Sequence, residues 1–203
     1  MIKQPDTQAI RSGKKITAFR TIDIAYIAIG VALLTVCSWI SIPTPVTVPF
    51  TLQTFAVFFL CYLLGGARGT MTIIVYLLLG AAGAPVFAEM SGGISVLLRP
   101  TGGYLIGFLF SALLMWFFER FAGKKIWIYG ISMVLALIVC YTFGTLWFVH
   151  VYIGDDGNSI GTLTALSWCV FPYLLPDAVK IALALTLGSN KALRRVINTG
   201  ARN

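Results

Sequence analysis

Long apolar stretches separated by short polar segments dominate the pattern of this 203-residue chain. The apolar stretches are Ile24–Ile42, Phe50–Leu64, Thr70–Ala84, Gly102–Phe118, Ile126–Val151 and Trp168–Leu187. A helix needs about 20 apolar residues to cross the hydrocarbon core of a bilayer, and the first, fourth, fifth and sixth stretches approach or exceed that length. We therefore predict an all-α integral membrane protein, a bundle of six transmembrane helices over residues 23–190. Its short second and third helices cross with little tilt or form a tight hairpin.

The composition agrees with a membrane protein. Hydrophobic residues make up 58% of the chain and charged residues 11%, whereas a soluble domain is about half apolar and about a quarter charged. The four cysteines all lie in apolar stretches, with no C-x-x-C pair and no histidine at ligand spacing. We interpret them as small packing residues and predict no metal site. The first apolar stretch, of about 19 residues, exceeds a signal-peptide core, so we expect it to remain as a span.

The net charge of +8 is concentrated near the chain ends and in two short connections. With a cytoplasmic N-terminus and six crossings, 13 of the 15 Lys and Arg residues fall on the cytoplasmic side, as the positive-inside rule requires. They are Lys3, Arg11, Lys14, Lys15, Arg20, Arg68, Arg120, Lys124, Lys125, Lys191, Arg194, Arg195 and Arg202. We predict basic cytoplasmic segments at residues 1–22 and 191–203, and membrane lipid rather than nucleic acid as the surrounding partner.

Three ionisable residues break these rules. Arg99 and Lys180 are the remaining basic residues, and Asp177 interrupts the last apolar stretch one helical turn before Lys180. Pro176 suits the first turn of a helix, so we expect Asp177 in that turn, where the helix dipole favours a carboxylate. Such residues usually face a bundle interior or a watery cavity. In one interpretation, Asp177 forms an ion pair with Lys180 or Arg99 that merely closes the bundle. In the other, which we favour, the three residues line a ligand pocket that is open to the outside.

The connections after the first and third predicted helices, on the predicted outer side of the membrane, carry further candidates for ligand binding. "SIPTPVTVPFTLQTF" places the neutral hydrogen-bonding side chains of Thr51 and Gln53 at the head of the second helix. "GAPVFAEMSGGISVLLRPTGGYLIGF" contains Glu89 and is long enough to fold back as a lid. Gly102 and Gly103 open the fourth predicted helix. They either let the backbone approach a ligand closely, or let two helices pack closely through the G-x-x-x-G pattern of Gly103 and Gly107.

A stripe of small residues follows one face of the first helix. Ala25, Ala28 and Ala32 are spaced three and four residues apart. Small residues let helices approach closely in lipid. The stripe therefore packs either inside this chain's own bundle or against a partner helix.

No catalytic motif emerges from the sequence. It has no H-E-x-x-H, no G-x-S-x-G and no phosphate-binding loop, so the chain does not hydrolyse ATP by that route. Uphill transport would need a partner or a coupled ion. A membrane-embedded enzyme is the least favoured class, and a stand-alone secondary transporter for a small organic anion remains an alternative to a binding subunit.

Five segments taken in order resemble the BioY family, the biotin-specific substrate-binding (S) components of energy-coupling-factor (ECF) transporters. They are "VPFTLQTFAVF", "LLGGARG", "YLLLGAAGAPVFA", "RPTGGYLIGF" and "PYLLPDAVK", the last containing Asp177 and Lys180. The resemblance covers most of the chain from Ile24 onward. It implies a six-helix bundle in a prokaryotic plasma membrane that binds biotin at its outer face, with no cofactor.

The resemblance also implies partners and site residues. A transmembrane coupling subunit would dock on Ala25, Ala28 and Ala32, and two cytoplasmic ATPases would drive transport. Biotin has a carboxylate, an apolar bicycle and a ureido ring. Lys180 or Arg99 would hold the carboxylate, and Asp177 would accept ureido N–H groups. The other expected contacts are Thr51, Gln53, Phe87, Glu89, Thr101, Gly102, Gly103 and Tyr104.

Overall fold

A computed structural model of the protein describes residues 20–42, 48–152 and 160–200. Most of the predicted N-terminal segment 1–22, and the last residues of the predicted tail 191–203, lie outside the described part. Helices occupy α1 (Thr21–Trp39), α2 (Gln53–Leu64), α3 (Gly66–Ala81), α4 (Ile94–Leu98), α5 (Gly102–Ala122), α6 (Ile126–Val151), α7 (Thr162–Cys169), α8 (Phe171–Gly188) and α9 (Lys191–Gly200). Short strands β1 (Ser41–Ile42) and β2 (Phe50–Thr51) pair antiparallel, and Ala88–Met90 forms a 3-10 turn.

The predominantly helical architecture confirms the predicted class, and four helices are long and apolar enough to cross a membrane. These are α1, α5, α6 and α8, which correspond to the first, fourth, fifth and sixth apolar stretches. The helices α2 and α3 have only 12 and 16 residues. At about 1.5 Å per residue, each is shorter than the roughly 30 Å hydrocarbon core.

The short helix α2 lies at the centre of the bundle. Its residues from Ala56 to Tyr62 are all buried, with α1, α3, α5 and α8 packed around it. A helix enclosed by protein need not match the thickness of the bilayer, because its ends contact other segments instead of lipid. The continuous apolar run at 55–64 reflects burial on nearly every side.

Large apolar side chains on the long helices point outward. They include Ile24, Ile29, Phe110, Phe117, Ile131, Ile138, Leu175 and Leu183. Such an extensive exposed apolar surface would be unfavourable in water and suits contact with lipid.

Glycines allow α5 and α6 to approach closely. A Cβ on Gly103 would collide with Trp147, and one on Gly144 would collide with the ring of Tyr104. Gly107 lies opposite Cys140. The G-x-x-x-G pattern therefore serves helix packing.

The start of the last long helix differs from the prediction. The segment breaks at Val170, and α8 begins at Phe171 with Pro172 in its first turn. Pro176 lies inside the helix, and Asp177 is in the second turn instead of the first. The prediction was wrong because either proline could have occupied the first turn, and Pro172 does. Helix-dipole stabilisation therefore does not account for Asp177.

The bundle has two distinct ends. At one, which we call the Trp39 end, the indole N–H of Trp39 donates to the Pro85 carbonyl. At the other, the Gly65 end, the backbone N–H of Gly66 donates to the Glu119 carboxylate.

Candidate ligand-binding site

A cavity of about 270 Å³ opens at the Trp39 end. Its walls come from β2, the start of α2, the segment between α3 and α5, and the facing parts of α5, α6 and α8. The predicted site residues that line it are Thr51, Gln53, Phe87, Glu89, Arg99, Thr101, Tyr104, Asp177 and Lys180. The structure therefore gathers side chains from four separate apolar stretches around one space.

Asp177 and Lys180 form a buried ion pair on the α8 wall of this cavity. Lys180 Nζ lies 2.7 Å from Asp177 Oδ1, and the two residues are only 4% and 3% exposed. An ion pair out of water is costly unless further hydrogen bonds satisfy it. The second carboxylate oxygen has such a bond, since the hydroxyl of Tyr141 donates to Asp177 Oδ2 over 2.5 Å.

Tyr141 is a site residue that sequence reasoning missed. It lies on α6 and lines the cavity, 36 residues from its partner along the chain. A buried tyrosine hydroxyl usually has a hydrogen-bond partner. The presence of a tyrosine within the apolar stretch of α6 was therefore the one sequence signal for this role.

The Lys180 ammonium also contacts an aromatic ring. Nζ lies 4.1 Å from the ring centroid of Phe50 on β2, within the range of a cation–π interaction. The ring of Tyr173 stacks against Phe50, and its hydroxyl donates to the Val48 carbonyl. These contacts hold the segment before α2 against α8, so that β2 closes one side of the cavity.

Gln53 belongs to a buried hydrogen-bonded chain. Its amide nitrogen donates to the Tyr76 hydroxyl over 2.6 Å, and that hydroxyl donates to the Val86 carbonyl over 2.9 Å. The hydroxyl of Ser38 donates to the same carbonyl over 2.6 Å. The helices α1, α2 and α3 are thus tied to the segment that carries Phe87.

Phe87 and Tyr104 supply the apolar lining. Phe87 is fully buried, and its ring occupies the space that a side chain at Gly80 would fill while packing edge-on against Tyr76. The hydroxyl of Tyr104 lies 3.0 Å from that of Thr145. Both rings are held in place before any ligand arrives.

Arg99 and Glu89 lie at the exposed edge of the cavity. Within the described residues, Arg99 makes no ion pair with Glu89 or Asp177, and its backbone carbonyl accepts the indole N–H of Trp147 over 3.1 Å. Glu89 and Met90 both adopt positive φ, 58° and 54°, in a tight turn. The interpretation in which Arg99 neutralises Asp177 is wrong, because the cation paired with that carboxylate is Lys180.

Gly102 and Gly103 do not line the cavity. A Cβ on Gly102 would collide with the backbone of Leu97, and Gly103 packs on Trp147. Of the two interpretations, close packing describes these glycines.

The predicted partner-docking stripe lies on the surface of the chain. Ala25, Ala28 and Ala32 are all exposed on α1. Packing inside this chain's own bundle, the alternative interpretation, is therefore wrong. Ile24 and Ile29 extend the same apolar face.

The cysteines are free and buried, in agreement with their interpretation as packing residues. Two of them, Cys140 and Cys169, also line the cavity.

A second cavity, of about 660 Å³, lies at the Gly65 end. The Glu119 carboxylate lies in its wall, where it accepts the Gly66 N–H and pairs with Lys124 over 2.9 Å. Close by, Arg68 pairs with Asp23 at the start of α1 over 2.6 Å.

Comparison with known proteins is consistent with this geometry. The sequence profile described as "BioY family" matches residues 10–198. The chain is 39% identical to the biotin transporter BioY of Thermotoga maritima over 75% of this chain and 85% of that protein. It is also 39% identical to the biotin transporter BioY2 of Lactococcus lactis, over 81% of this chain and 87% of that protein.

A solved structure has the same fold. The crystal structure of the S-component for biotin from an ECF-type ABC transporter superposes with a TM-score of 0.72 at 26% identity, covering 88% of this chain and 94% of that one. Together with the profile match over nearly the whole sequence, this shows that the chain belongs to the BioY family.

Proposed function

We propose that this chain is the biotin-binding S component of an ECF-type uptake transporter and captures biotin in the cavity at the Trp39 end. The observation that carries the proposal is the buried Asp177–Lys180 pair, with Tyr141 and Gln53, in the wall of a preformed cavity. A ureido ring offers two N–H donors and one acceptor. This cluster offers a carboxylate, an ammonium and an amide to match them.

The orientation of biotin follows from the charges. Lys180 is already neutralised by Asp177 at the buried part of the cavity, whereas Arg99, at the exposed edge, has no acidic partner among the described residues. A carboxylate beside Asp177 would be repelled. We therefore place the ureido ring against Asp177 and Gln53 and the carboxylate near Arg99, with Phe87 and Tyr104 along the apolar middle.

The proposed topology has six crossings and two cytoplasmic termini. It places the Trp39 end outside and the Gly65 end, with Arg68, Arg120 and Lys124, in the cytoplasm, as the positive-inside rule favours. The short helices α2 and α3 complete their crossings with help from the flanking segments. Because the relatives named above are bacterial, we propose that the membrane is a prokaryotic plasma membrane.

The first test is isothermal titration of the detergent-solubilised protein with biotin, using lipoate and thiamin as controls. We expect stoichiometric binding of biotin without ATP and no comparable heat from the controls. Equal binding of all three compounds, or none of biotin, would contradict the proposal.

The orientation has its own test. Biotinamide lacks the carboxylate charge, so the wild type should bind it more weakly than biotin, by about 10-fold or more for one charged hydrogen bond. Arg99→Gln should weaken biotin and bring the two ligands to nearly equal affinity. If Arg99→Gln leaves the ratio of the two affinities unchanged, the carboxylate lies elsewhere.

The transmembrane coupling subunit and two ATPases are the proposed partners, with α1 as the docking helix. The exposed face of Ala25, Ala28 and Ala32 supports this because small residues permit close helix contact in lipid. Ala28→Leu should abolish co-purification of the partners while the isolated subunit still binds biotin. Val134→Phe, which enlarges an exposed position on α6, is the matched control and should assemble normally.

A further inference from the structure

The hydrogen-bonded chain from Gln53 to Val86 has a fixed polarity. A backbone carbonyl oxygen can only accept, and that of Val86 lies 2.9 Å from the Tyr76 hydroxyl. Tyr76 has one proton, which this bond uses. Its oxygen is left only as an acceptor toward Gln53.

The orientation of the Gln53 amide follows from this. The atom 2.6 Å from the Tyr76 oxygen must donate, so it is the nitrogen Nε2. Rotating the amide by half a turn would bring two acceptors together with no proton between them. Gln53 and Tyr76 are only 4% and 1% exposed, so water cannot readily relieve that repulsion.

The carbonyl oxygen of the Gln53 side chain is therefore the atom available to the cavity. Gln53 lines the cavity, and the side-chain hydrogen bond that the described residues make to it uses the nitrogen. A ligand group opposite Oε1 must then be a hydrogen-bond donor.

We propose that Tyr76, which does not line the cavity, is a positioning residue that locks the Gln53 amide so that Oε1 accepts an N–H of the ligand. The inference rests on the proposed function, in which the ureido ring of biotin supplies that N–H. It adds a specificity rule: the site rejects rings that carry an acceptor at this position. Rejection is strong because an unpaired buried acceptor is costly.

Binding of a ligand series to the wild type and to variants tests whether Tyr76 fixes the orientation of the Gln53 amide. The probes are biotin and the two cyclic carbamates in which one or the other ureido N–H is replaced by oxygen. In the wild type, the carbamate whose ring oxygen faces Gln53 should bind about 5- to 150-fold more weakly than biotin. Tyr76→Phe keeps the ring and its contact with Phe87 but frees the amide to rotate, so the discrimination against that carbamate should fall by at least about 5-fold.

Ser38→Ala is the matched control. It also removes a hydrogen bond to the Val86 carbonyl but leaves the bond from Gln53 Nε2 to the Tyr76 oxygen intact, so it should keep the discrimination of the wild type. If Tyr76→Phe weakens biotin and both carbamates by one common factor, Tyr76 has only a structural role and the inference is wrong.

A variant of Gln53 tests the inference even if Tyr76→Phe does not fold. Gln53→Met removes the acceptor toward the ligand and should abolish the discrimination against the carbamate whose ring oxygen faces residue 53. Unchanged discrimination in Gln53→Met would show that Gln53 Oε1 does not accept from the ligand. Absence of biotin binding in the wild type would overturn the proposed function as well, whereas binding without discrimination would overturn only this inference.

Discussion

Both ends of the bundle carry an acid paired with a lysine, but in opposite environments. At the Trp39 end, Asp177 and Lys180 are both almost fully buried. At the Gly65 end, Glu119 pairs with Lys124, whose side chain is 75% exposed. A lysine that remains in water keeps its hydration, so the second pair contributes little and costs little.

The difference separates two uses of charge in a membrane protein. Charges at the Gly65 end cap a helix, since Glu119 accepts the free N–H of Gly66 at the start of α3. In the proposed topology they also lie on the cytoplasmic side. Charges at the Trp39 end are desolvated before any ligand binds. We infer that they are retained because a polar ligand completes their hydrogen bonding.

The largest predicted effect is that of Lys180→Ala. It leaves the Asp177 carboxylate buried without its cation, and breaking such a pair destabilises a protein by about 3–5 kcal/mol. Titration should detect no biotin binding, and the melting temperature in detergent should fall sharply. Asp177→Asn leaves the ammonium uncompensated in the same way and should also lose binding. Biotin affinity equal to that of the wild type in both variants would remove the proposed site.

Tyr141→Phe should have the next largest effect. It removes one hydrogen bond to a charged acceptor, worth about 1.5–3 kcal/mol, so biotin affinity should fall by about 10- to 100-fold. The ring remains in place, so the melting temperature of the ligand-free protein should drop less than in Lys180→Ala. An unchanged affinity would mean that the orientation of Asp177 does not matter for binding.

Glu119→Ala should change stability but not binding. It leaves the Gly66 N–H without its acceptor, which costs about 1–3 kcal/mol in a thermal melt. Because the site lies at the opposite end, the affinity for biotin should stay within about 2-fold of the wild type. A large loss of biotin affinity would show that the two ends are coupled.

The smallest predicted effect is that of Lys124→Ala. Its exposed ion pair is worth less than about 1 kcal/mol and is screened by salt. The melting temperature in detergent should shift slightly at low ionic strength and not at all at high ionic strength. A shift as large as that of Lys180→Ala would erase the distinction between the two ends.

The sequence predicted well the helices that end where apolar residues give way to polar ones along the chain. The apolar run of α6 matches Ile126–Val151 at both ends, since Lys124 and Lys125 precede it and Gly154, Asp155 and Asp156 follow shortly after it. It placed α2 and α3 less well, because "GGARG" continues as helix from Gly66 once Glu119 caps that end. That cap comes from more than 50 residues away and leaves no local signal.

The same limit applies to the site. Asp177 and Lys180 stood out because charge is rare in an apolar helix, and their spacing was enough to predict a pair. Tyr141 and Tyr76 did not stand out, since tyrosine is common at membrane interfaces and in cores. Their roles depend on partners that the fold brings together, 36 and 23 residues away along the chain.

The central claim is that the buried pair at the Trp39 end is part of a biotin site. A crystal structure of the protein with biotin tests it most directly. We predict the ureido ring within hydrogen-bonding distance of Asp177 and Gln53, and the carboxylate near Arg99. Biotin in the cavity beside Glu119, or an Asp177–Lys180 cluster with no ligand contact, would contradict the account.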